Sequence, residues 1–586
     1  MEKWFITNKK ADFKAIGERF GISPITAKII RNRDIVGDDA IRKYLTGRLK
    51  DLHNPWEMKD MDKLVETLKE AIDNGRKIRV VQDYDVDGCM SGCILVLAIK
   101  ECGGIADWDV PDRTAEGYGI NQRIVDDAVR DGIDTIITCD NGIAANDVIK
   151  YGADKGLNMI VTDHHEVQYV IKDGEYEYLV PEAKAVVDPK RHDCPYPFKQ
   201  LCGAGISYKV SEVLFETYGL PHEETKKFLQ YAAIATVCDV VDLTDENRII
   251  VKEGFRLLED TDNYGMRALL DRCLKPGESL SVGRVGFFIG PVINAGGRMA
   301  TAKRVMELLF SESREEAEIV VDDLIKLNEE RKAETEKAVT EIVDSFTEMP
   351  NEDVIIEYNP DCHESVAGIA AGRIKDRYYK PTIVLTKSSE DGLIKGSARS
   401  VTGFDIFERL MTVKDLLLRF GGHPMAAGMT LRESDLEEFR RRMNAPAWPE
   451  SADRFKRITI DAAVRLAAIN KNVIRELELI EPCGKENKRP VFAAKNLKVS
   501  HFRILGKKRN AVKMTLSDDT ASIDGIWFGN SDDIVESIKE KYGDIQCQRL
   551  LKGYDADVFT DIIYTPAINY YNGFESIQLD ISSFRW

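Results

Sequence analysis

The sequence predicts an α/β protein with a mainly parallel sheet, followed by a second α/β unit and a C-terminal β-barrel. Between about 76 and 240, short apolar runs such as KIRVV, DTIITCD, LNMIVTDHH and AKAVVDP alternate with amphipathic stretches. A stretch from 314 to 346 contains no Gly or Pro and predicts one long connecting helix. The last hundred residues contain several β-rich runs separated by turns, which is typical of a small barrel.

The chain of 586 residues is too long for one hydrophobic core, so several domains are expected. The patterns divide it into an N-terminal helical region (1–75), a first α/β domain (76–313), a connecting helix (314–346), a second α/β domain (347–446) and the terminal barrel region (447–586).

The composition is that of a soluble globular protein, with 43% hydrophobic and 31% charged residues. No apolar run is long enough to span a membrane, and the N-terminus lacks the apolar region of a signal peptide. We therefore expect a cytoplasmic protein without membrane contact. Eleven scattered cysteines without a CxxC pair predict reduced thiols and argue against a structural zinc site.

The net charge of −17 argues against a broad, nonspecific duplex binder. It does not exclude a nucleic-acid substrate, because phosphate binding depends on local basic patches and bound metal ions invert the sign of an acidic site. Any nucleic-acid path should therefore be narrow and locally basic.

The stretch DYDVDG, from 83 to 88, places three carboxylates at alternate positions directly after a predicted strand. A calcium loop of the EF-hand type beginning at Asp83 would need a bidentate Glu at its twelfth position, which is Ile94. That interpretation fails. What remains is a strand-to-helix turn, the place where ligands and metals collect in open α/β sheets.

Three more clusters end predicted strands or helices, and they contain Asp140, then Asp163, His164 and His165, and then Asp239. Each alone is more typical of a turn, a helix cap or packed histidines. Their recurrence in one α/β unit favours convergence, because the carboxyl ends of parallel strands share one edge of the sheet. Carboxylates with imidazoles suit manganese or magnesium. Two such ions about 3.5–4 Å apart can promote a phosphoryl displacement by water.

The motifs DYDVDG, CDNGI, TDHHE and CDVVDL, in this order, resemble those of the DHH phosphoesterase superfamily, named for Asp163, His164 and His165. Later segments, HESVAGIAAGRIKDRYYKP, IKGSARSV and RFGGHPMAAGMT, resemble its DHH-associated domain. The resemblance is closest to the superfamily's bacterial single-strand-specific DNA exonucleases. It covers nearly the whole chain and weakens only in the last hundred residues.

The resemblance implies a metal centre that binds two manganese ions, with magnesium as an alternative. Its ligands would be Asp85, Asp87, Asp140, His164 and Asp239. Asp140 would bridge the ions, His165 would face the scissile phosphate, and Asp163 would orient a histidine. The role of Asp83 stays open.

The resemblance also implies a phosphate-binding surface, although arginines outside such motifs usually form surface ion pairs. Arg298 and Arg373 would bind phosphates, with Ser397 and Arg399 nearby, and Gly421, Gly422 and His423 would form a phosphate loop. The last domain resembles an oligonucleotide-binding (OB) barrel. Its expected nucleic-acid contacts are Phe502, Lys507, Lys508, Arg509 and Lys513; a polar turn is the alternative.

Two positions depart from the family pattern. Some relatives have a ligating His where this chain has Val81, which would reshape one metal site, and the junction EPCGKENKRP leaves the orientation of the barrel open.

The implied function is metal-dependent 5′-to-3′ hydrolysis of single-stranded DNA in repair and recombination. The implied protein is a monomer that works with a helicase and a single-strand-binding protein. A phosphodiesterase of short oligonucleotides or cyclic dinucleotides would use the same centre, but the additional N- and C-terminal regions favour a polymer. An inactive scaffold is disfavoured because all five expected ligands are present.

Overall fold

The computed structural model describes residues 2–113, 116–299, 302–346, 350–450, 452–571 and 573–586. Within this part of the chain, no helix is both long enough and apolar enough to cross a membrane. Besides the elements below, short 3-10 turns occur at Leu49–Asp51, Pro55–Glu57, His222–Phe228, Lys414–Leu416, Glu433–Asp435, Leu466–Ala468 and Glu478–Ile480.

The N-terminal region is shared between two domains. It comprises β1 (Glu2–Ile6), α1 (Phe13–Phe20), α2 (Pro24–Asn32), α3 (Asp38–Thr46) and α4 (Met61–Asp73). The sequence predicted only helices here, but β1 pairs in parallel with residues 456–460 near the barrel. By contrast, the apolar face of α4 packs into the core of the first α/β domain.

A five-stranded parallel sheet forms the centre of the first α/β domain, as predicted. The strands between 77 and 187 are β2 (Lys77–Gln82), β3 (Ile105–Asp109), β4 (Thr135–Cys139), β5 (Asn158–Thr162), β6 (Tyr169–Lys172), β7 (Glu175–Tyr178) and β8 (Ala185–Val187). The sheet has the order β3-β2-β4-β5-β8, and β6 and β7 form a separate hairpin. Its central strands are buried almost throughout because helices cover both faces.

The helices of this domain are α5 (Val86–Glu101), α6 (Gln122–Arg130), α7 (Asn146–Asp154), α8 (Gly203–Thr217), α9 (Leu229–Cys238), α10 (Asp245–Glu259), α11 (Tyr264–Cys273), α12 (Val282–Arg284), α13 (Gly290–Met299) and α14 (Lys303–Leu309). Helices α5, α8 and α9 pack against one another, and α5 and α9 are apolar on nearly all sides because they lie in the core. A π-helical turn, Val285–Ile289, joins α12 to α13.

The predicted long helix is α15 (Arg314–Ser345), capped by the side chain of Ser313. It leads into the second α/β domain, which comprises β9 (Ile355–Tyr358), α16 (Glu364–Tyr378), β10 (Thr382–Lys387), β11 (Leu393–Arg399), α17 (Ile406–Met411), β12 (Leu417–His423), β13 (Ala426–Arg432) and α18 (Leu436–Met443). The sheet order is β12-β13-β11-β10-β9, and α16 packs across β10 and β11.

The last domain is a closed barrel, as predicted. It comprises β14 (Lys456–Ile460), β15 (Ala462–Ala463), α19 (Lys471–Leu477), β16 (Phe492–Leu505), β17 (Ala511–Ser517), β18 (Ser522–Phe528), α20 (Ser531–Leu551, interrupted at Gly543), β19 (Phe559–Tyr571) and β20 (Phe574–Arg585). The strand order is β15-β16-β17-β18-β20-β19, and β19 also pairs with β16, which closes the ring.

Candidate metal centre and phosphate cleft

The turn after β2 carries the first carboxylates of the site. Asp85 caps α5 by accepting a hydrogen bond from the backbone N–H of Gly88 at 3.1 Å. Asp87, in the first turn of α5, accepts from the backbone N–H groups of Gly203 at 2.6 Å and Ala204 at 2.8 Å, where α8 begins. Residue 88 must be glycine, because a Cβ there would lie 2.4 Å from the carbonyl oxygen of Asp83.

Asp140 follows β4 in a left-handed backbone conformation, with φ 59°. Such conformations are unfavourable for residues other than Gly, Asn and Asp, and they cluster at functional sites. The next residue holds the turn: the Asn141 side chain donates to the carbonyl oxygens of Val81 (3.1 Å) and Cys139 (2.9 Å). This fixes the Asp140 carboxylate at the edge of the sheet.

One imidazole nitrogen brings three of the carboxylates together. His164 Nε2 lies 3.0 Å from Asp140 Oδ1, 3.4 Å from Asp87 Oδ2 and 3.7 Å from Asp239 Oδ2. In the part of the chain that the structure describes, three groups have ligand atoms within 4.8 Å of one another: Asp140–His164–His165, Asp87–His164–Asp239 and Asp83–Asp85–Asp140. The structure therefore brings together all five expected ligands and adds Asp83, whose role the sequence left open.

The electrostatics of this cluster fit divalent cations. Burial and neighbouring carboxylates raise the pKa of Asp140 well above its ordinary value and that of Asp239 to about 8. Burial lowers the pKa of His164 to about 4, which keeps its ring in the neutral form that binds metals. Asp83 Oδ1 is buried without a hydrogen-bond partner among the described residues. Crowded oxygen ligands with imidazole suit Mn²⁺ or Mg²⁺, so these residues fit the expected metals.

Asp163 orients His165 rather than joining the metal groups. Its carboxylate accepts from the backbone N–H groups of Ile143 (2.9 Å) and His164 (2.7 Å) and lies 2.7 Å from His165 Nδ1. Burial opposes ionisation of Asp163, but the His165 hydrogen bond, the charges of the two histidines and the Ile143 N–H together outweigh it and lower the Asp163 pKa. Burial likewise disfavours charge on His165, yet the same bond and the charges of Asp163, Asp239 and Asp87 together raise its pKa to about 9.

Two residues that the sequence did not single out adjoin His165. The Tyr118 hydroxyl donates to the Asp140 carbonyl oxygen at 2.7 Å and lies 3.2 Å from His165 Nδ1. Asp188 follows β8, and burial together with the charge of Asp163 raises its pKa to about 8. The position of Asp188 after an apolar strand was a usable signal for that residue.

A cluster of five arginines lies between the two α/β domains. Arg298, near the end of α13, donates through Nη1 to the carbonyl oxygen of Ser365 in α16 at 3.1 Å. Burial and the guanidinium groups of Arg113, Arg331 and Arg399 lower its pKa to about 10. Burial and the charge of Arg373 lower the pKa of Arg331. We therefore place Arg373 in the same cluster.

Among the described residues, none of these five arginines has a carboxylate within 4 Å, unlike most arginines of the chain. Clustered guanidinium groups that are partly desolvated and lack carboxylates form a site for an anion such as phosphate. Arg298, Arg373 and Arg399 were expected there, whereas Arg113 and Arg331 were not.

An open cavity of about 610 Å³ adjoins the cluster and is lined by Arg113, Ser365, Lys387 and Ser397, among others. Ser397 and Arg399 lie on β11, and β13 separates them from β12. Across β13, Gly421 is level with Ser397 and His423 with Arg399, two strand spacings or about 10 Å away.

The predicted phosphate loop is therefore the end of an edge strand. Gly421, Gly422 and His423 form the last residues of β12 and are exposed. Gly422 has φ 153°, and a Cβ there would lie 2.5 Å from the Ala426 carbonyl oxygen. These residues lie at the same end of the sheet as Ser397 and Arg399 but not in the same strand pair.

The barrel differs most from its predicted role. Phe502 is only 4% exposed and packs in the barrel core, so its ring cannot stack on a base. Lys507, Lys508 and Arg509 lie on the exposed turn between β16 and β17. Arg509 pairs with Asp532 at 2.7 Å, and Lys513 pairs with Asp524 at 2.9 Å, which neutralises two of the four expected cations.

Family models match most of the chain. The DHH family N-terminal domain matches residues 77–236, the DHHA1 domain matches 351–447 and the RecJ OB domain matches 460–583.

Curated relatives match over longer stretches. The single-stranded-DNA-specific exonuclease RecJ of Bacillus subtilis (strain 168) is 34% identical over 92% of this chain and 67% of its own length. RecJ of Haemophilus influenzae is 30% identical over 86% of this chain and 88% of its own.

Solved structures show the same architecture. RecJ from Thermus thermophilus in complex with Mn²⁺ superposes with a TM-score of 0.82 at 24% identity, covering 100% of this chain and 80% of that one. An exonuclease RecJ bound to manganese gives a TM-score of 0.58 at 29% identity, covering 67% and 96%. With sequence relatives matched over most of both chains and a shared fold, this chain belongs to the RecJ family of DHH phosphoesterases.

Proposed function

We propose that this protein is a divalent-metal-dependent exonuclease that removes nucleotides from the 5′ end of single-stranded DNA. The arrangement that carries the proposal is the carboxylate–imidazole centre beside five arginines without carboxylate partners among the described residues. Relatives at 30–34% identity are named single-stranded-DNA-specific exonucleases, which supports the choice of substrate.

The residues that would hold two Mn²⁺ or Mg²⁺ ions are Asp85, Asp87, Asp140, His164 and Asp239, with Asp83 as a further carboxylate. Bound there, the ions would supply the positive charge that activates a water molecule and offsets the charge developing on the phosphoryl oxygens. The Asp140 carboxylate belongs to two of the groups, which is the position expected of a bridging ligand.

His165 is the protein group best placed to act on the phosphate. Its Nδ1 is held by Asp163, and its Nε2 has no hydrogen-bond partner among the described residues. Nε2 can therefore donate a hydrogen bond to a phosphoryl oxygen. It can also pass a proton to the 3′ oxygen that leaves when water displaces it from phosphorus.

The arginine cluster gives the reaction its direction. We assign Arg298, Arg373, Arg399 and Arg113, with Ser397, to the 5′-terminal phosphate, and Gly421, Gly422 and His423 to the outer edge of that surface. A strand held there by its terminal phosphate would present the next phosphodiester to the metal centre, so the chain would shorten from the 5′ end.

The same proposal includes a monomeric protein of the cytoplasm that acts in DNA repair and recombination. A helicase would open the duplex and a single-strand-binding protein would present the strand, because the substrate must be unpaired.

The test compares single strands that carry a 5′-phosphate with strands blocked at the 3′ end, in the presence of Mn²⁺. We expect stepwise release of mononucleotides from the 5′ end. The Asp140→Ala variant should release none, whereas Asp147→Ala, which removes an exposed carboxylate from α7, should match the wild type. Turnover of dinucleotides alone would assign the protein to the phosphodiesterases of short oligonucleotides. No turnover of either substrate would favour an inactive scaffold.

A further inference from the structure

The helix formed by α12, the π-helical turn and α13 exposes two consecutive phenylalanines beside the metal centre. Phe287 is 77% exposed and Phe288 is 55% exposed. Adjacent aromatic rings in water are costly unless they serve an interaction, and the metal and phosphate residues described above do not include them.

The π-helical turn accounts for this exposure. The Gly290 N–H donates to the Val285 carbonyl oxygen, five residues back, and Pro291 has no N–H to continue an α-helical ladder. A π-turn accommodates one extra residue, so two rings project where a regular helix would present one. Turns of this kind are rare and are frequently found at functional sites.

Two close glycine contacts place this helix against the metal ligands. A Cβ on Gly290 would lie 2.5 Å from the sulfur of Cys238, which precedes the ligand Asp239. A Cβ on Gly297 would lie 2.4 Å from the carbonyl oxygen of Tyr84, which precedes the ligand Asp85. The helix therefore runs directly along the metal centre.

The partly exposed stripe of this helix connects the rings to the arginine cluster. Four residues of this helix recur at helical spacing and are exposed or half-buried: Phe287, Pro291, Asn294 and Arg298. The other α13 residues between 291 and 298 are buried. Phe287 and Arg298 are eleven residues apart, about 16 Å along the helix. No acidic residue occurs between 285 and 299.

We propose that Phe287 and Phe288 form a stacking platform for the bases on the 3′ side of the scissile phosphate. The inference rests on the proposed function, which places the 5′-phosphate at Arg298 and the scissile bond at the metals. Phe287 and Phe288 then lie on the far side of the metals, where the strand continues. Val240, directly after Asp239, is 61% exposed and adds apolar surface in the same region.

Such a platform acts on single strands in particular. Aromatic rings stack on any unpaired base regardless of sequence, whereas the bases of a duplex are already stacked on each other. The two phenylalanines are thus positioning residues that would hold the strand in register for each successive cut.

The experiment compares two 5′-phosphorylated strands, one intact and one with abasic residues at its second and third positions. The wild type should have a KM for the intact strand about tenfold below that for the abasic strand, the order expected for a stacked base. Phe287→Ala combined with Phe288→Ala should raise the KM of the intact strand to that of the abasic strand. The kcat values and the abasic KM should not change.

Three further variants sharpen the result. Phe574→Ala removes an equally exposed ring, 79%, from β20 of the barrel and should behave as the wild type. Phe287→Trp should retain the low KM for the intact strand. Phe287→Leu keeps an apolar side chain but lacks a ring, so it should lose most of the difference in KM between the intact and the abasic strand.

The stacking platform would be ruled out if the double variant raised the KM of both strands equally, or if it left the KM of the intact strand unchanged. A change of oligomeric state in the double variant, with both KM values unchanged, would show a subunit interface instead. If the wild type cuts neither strand, the proposed exonuclease function itself fails, and this inference fails with it.

Discussion

The burial and pairing of charged side chains differ between the first α/β domain and the C-terminal barrel. Around the metal centre, carboxylates are buried next to one another, and the nearby arginines lack carboxylate partners among the described residues. On the barrel, Arg509 is exposed and Lys513 is half-buried, and each already has a carboxylate partner.

The difference indicates where ligands bind. Buried like charges destabilise a fold unless a ligand of opposite charge joins them, so their retention points to binding. Exposed ion pairs contribute only about 0–1 kcal/mol and need no ligand. A basic sequence motif is therefore weaker support for phosphate binding than a basic cluster without partners.

The largest effect should follow from removing a carboxylate of the centre. Asp239→Ala should lower exonuclease activity about a thousandfold, because several kcal/mol of transition-state stabilisation depend on correctly held metals. It should also abolish most of the rise in Tm that Mn²⁺ produces in the wild type. That rise corresponds to about 2.7 kcal/mol of added stability when the Mn²⁺ concentration is a hundred times its Kd. Thermal unfolding with Mn²⁺ and with EDTA measures this.

Asp147→Ala is the matched control for that measurement, since it removes an exposed carboxylate from the same domain. Its Mn²⁺-induced rise in Tm should equal that of the wild type. An undiminished rise in Asp239→Ala would mean that the ions bind elsewhere.

The metal centre could be predicted from sequence because of a simple rule of parallel sheets. Each expected ligand follows or caps an apolar element, and β2, β4 and β5 end at one edge. The inclusion of Asp83 could not be predicted in this way. It depends on the distance from the turn after β2 to the Asp140 side chain, which only the folded chain defines.

The arginine cluster was predicted only in part, because it is assembled from distant segments. Arg331 lies on the long connecting helix, far in sequence from the other members of the cluster, and it is buried. Similarly, the β6–β7 hairpin, β20 and α20 carry no motif, and the sequence interpretation did not include them.

The prediction that the Phe502 ring contacts nucleic acid was wrong because β16 contains a local irregularity. The pairing of β16 with β17 shifts register between Ser500 and Arg503, and His501 has a positive φ of 46°. Such a bulge moves the following side chains to the opposite face of the strand. The ring expected on the surface therefore packs in the barrel core.

An intermediate effect should follow from removing a guanidinium of the cluster. Arg399→Ala should reduce activity on 5′-phosphorylated strands by about a hundredfold, the loss expected for a charge-assisted hydrogen-bonded contact. Activity on strands with a 5′-hydroxyl should change little, because they lack the group that Arg399 binds. Initial rates on the two strands measure the preference.

Arg399→Lys sharpens that prediction, since lysine keeps the charge but not the planar fork of donors. It should restore only part of the preference for a 5′-phosphate. A preference that survives in Arg399→Ala would place the terminal phosphate elsewhere.

The smallest effect is expected on the barrel. Arg509→Ala and Lys513→Ala should each change KM for single strands less than about twofold, because their charges are already offset by Asp532 and Asp524. Lys507→Ala with Lys508→Ala, which removes cations without such pairs among the described residues, should raise KM more and weaken its dependence on salt. Salt titrations of KM for all variants test this ranking. A larger loss from Arg509→Ala than from the lysine pair would show that DNA displaces Asp532, and pairing in the free protein would then be a poor guide to binding.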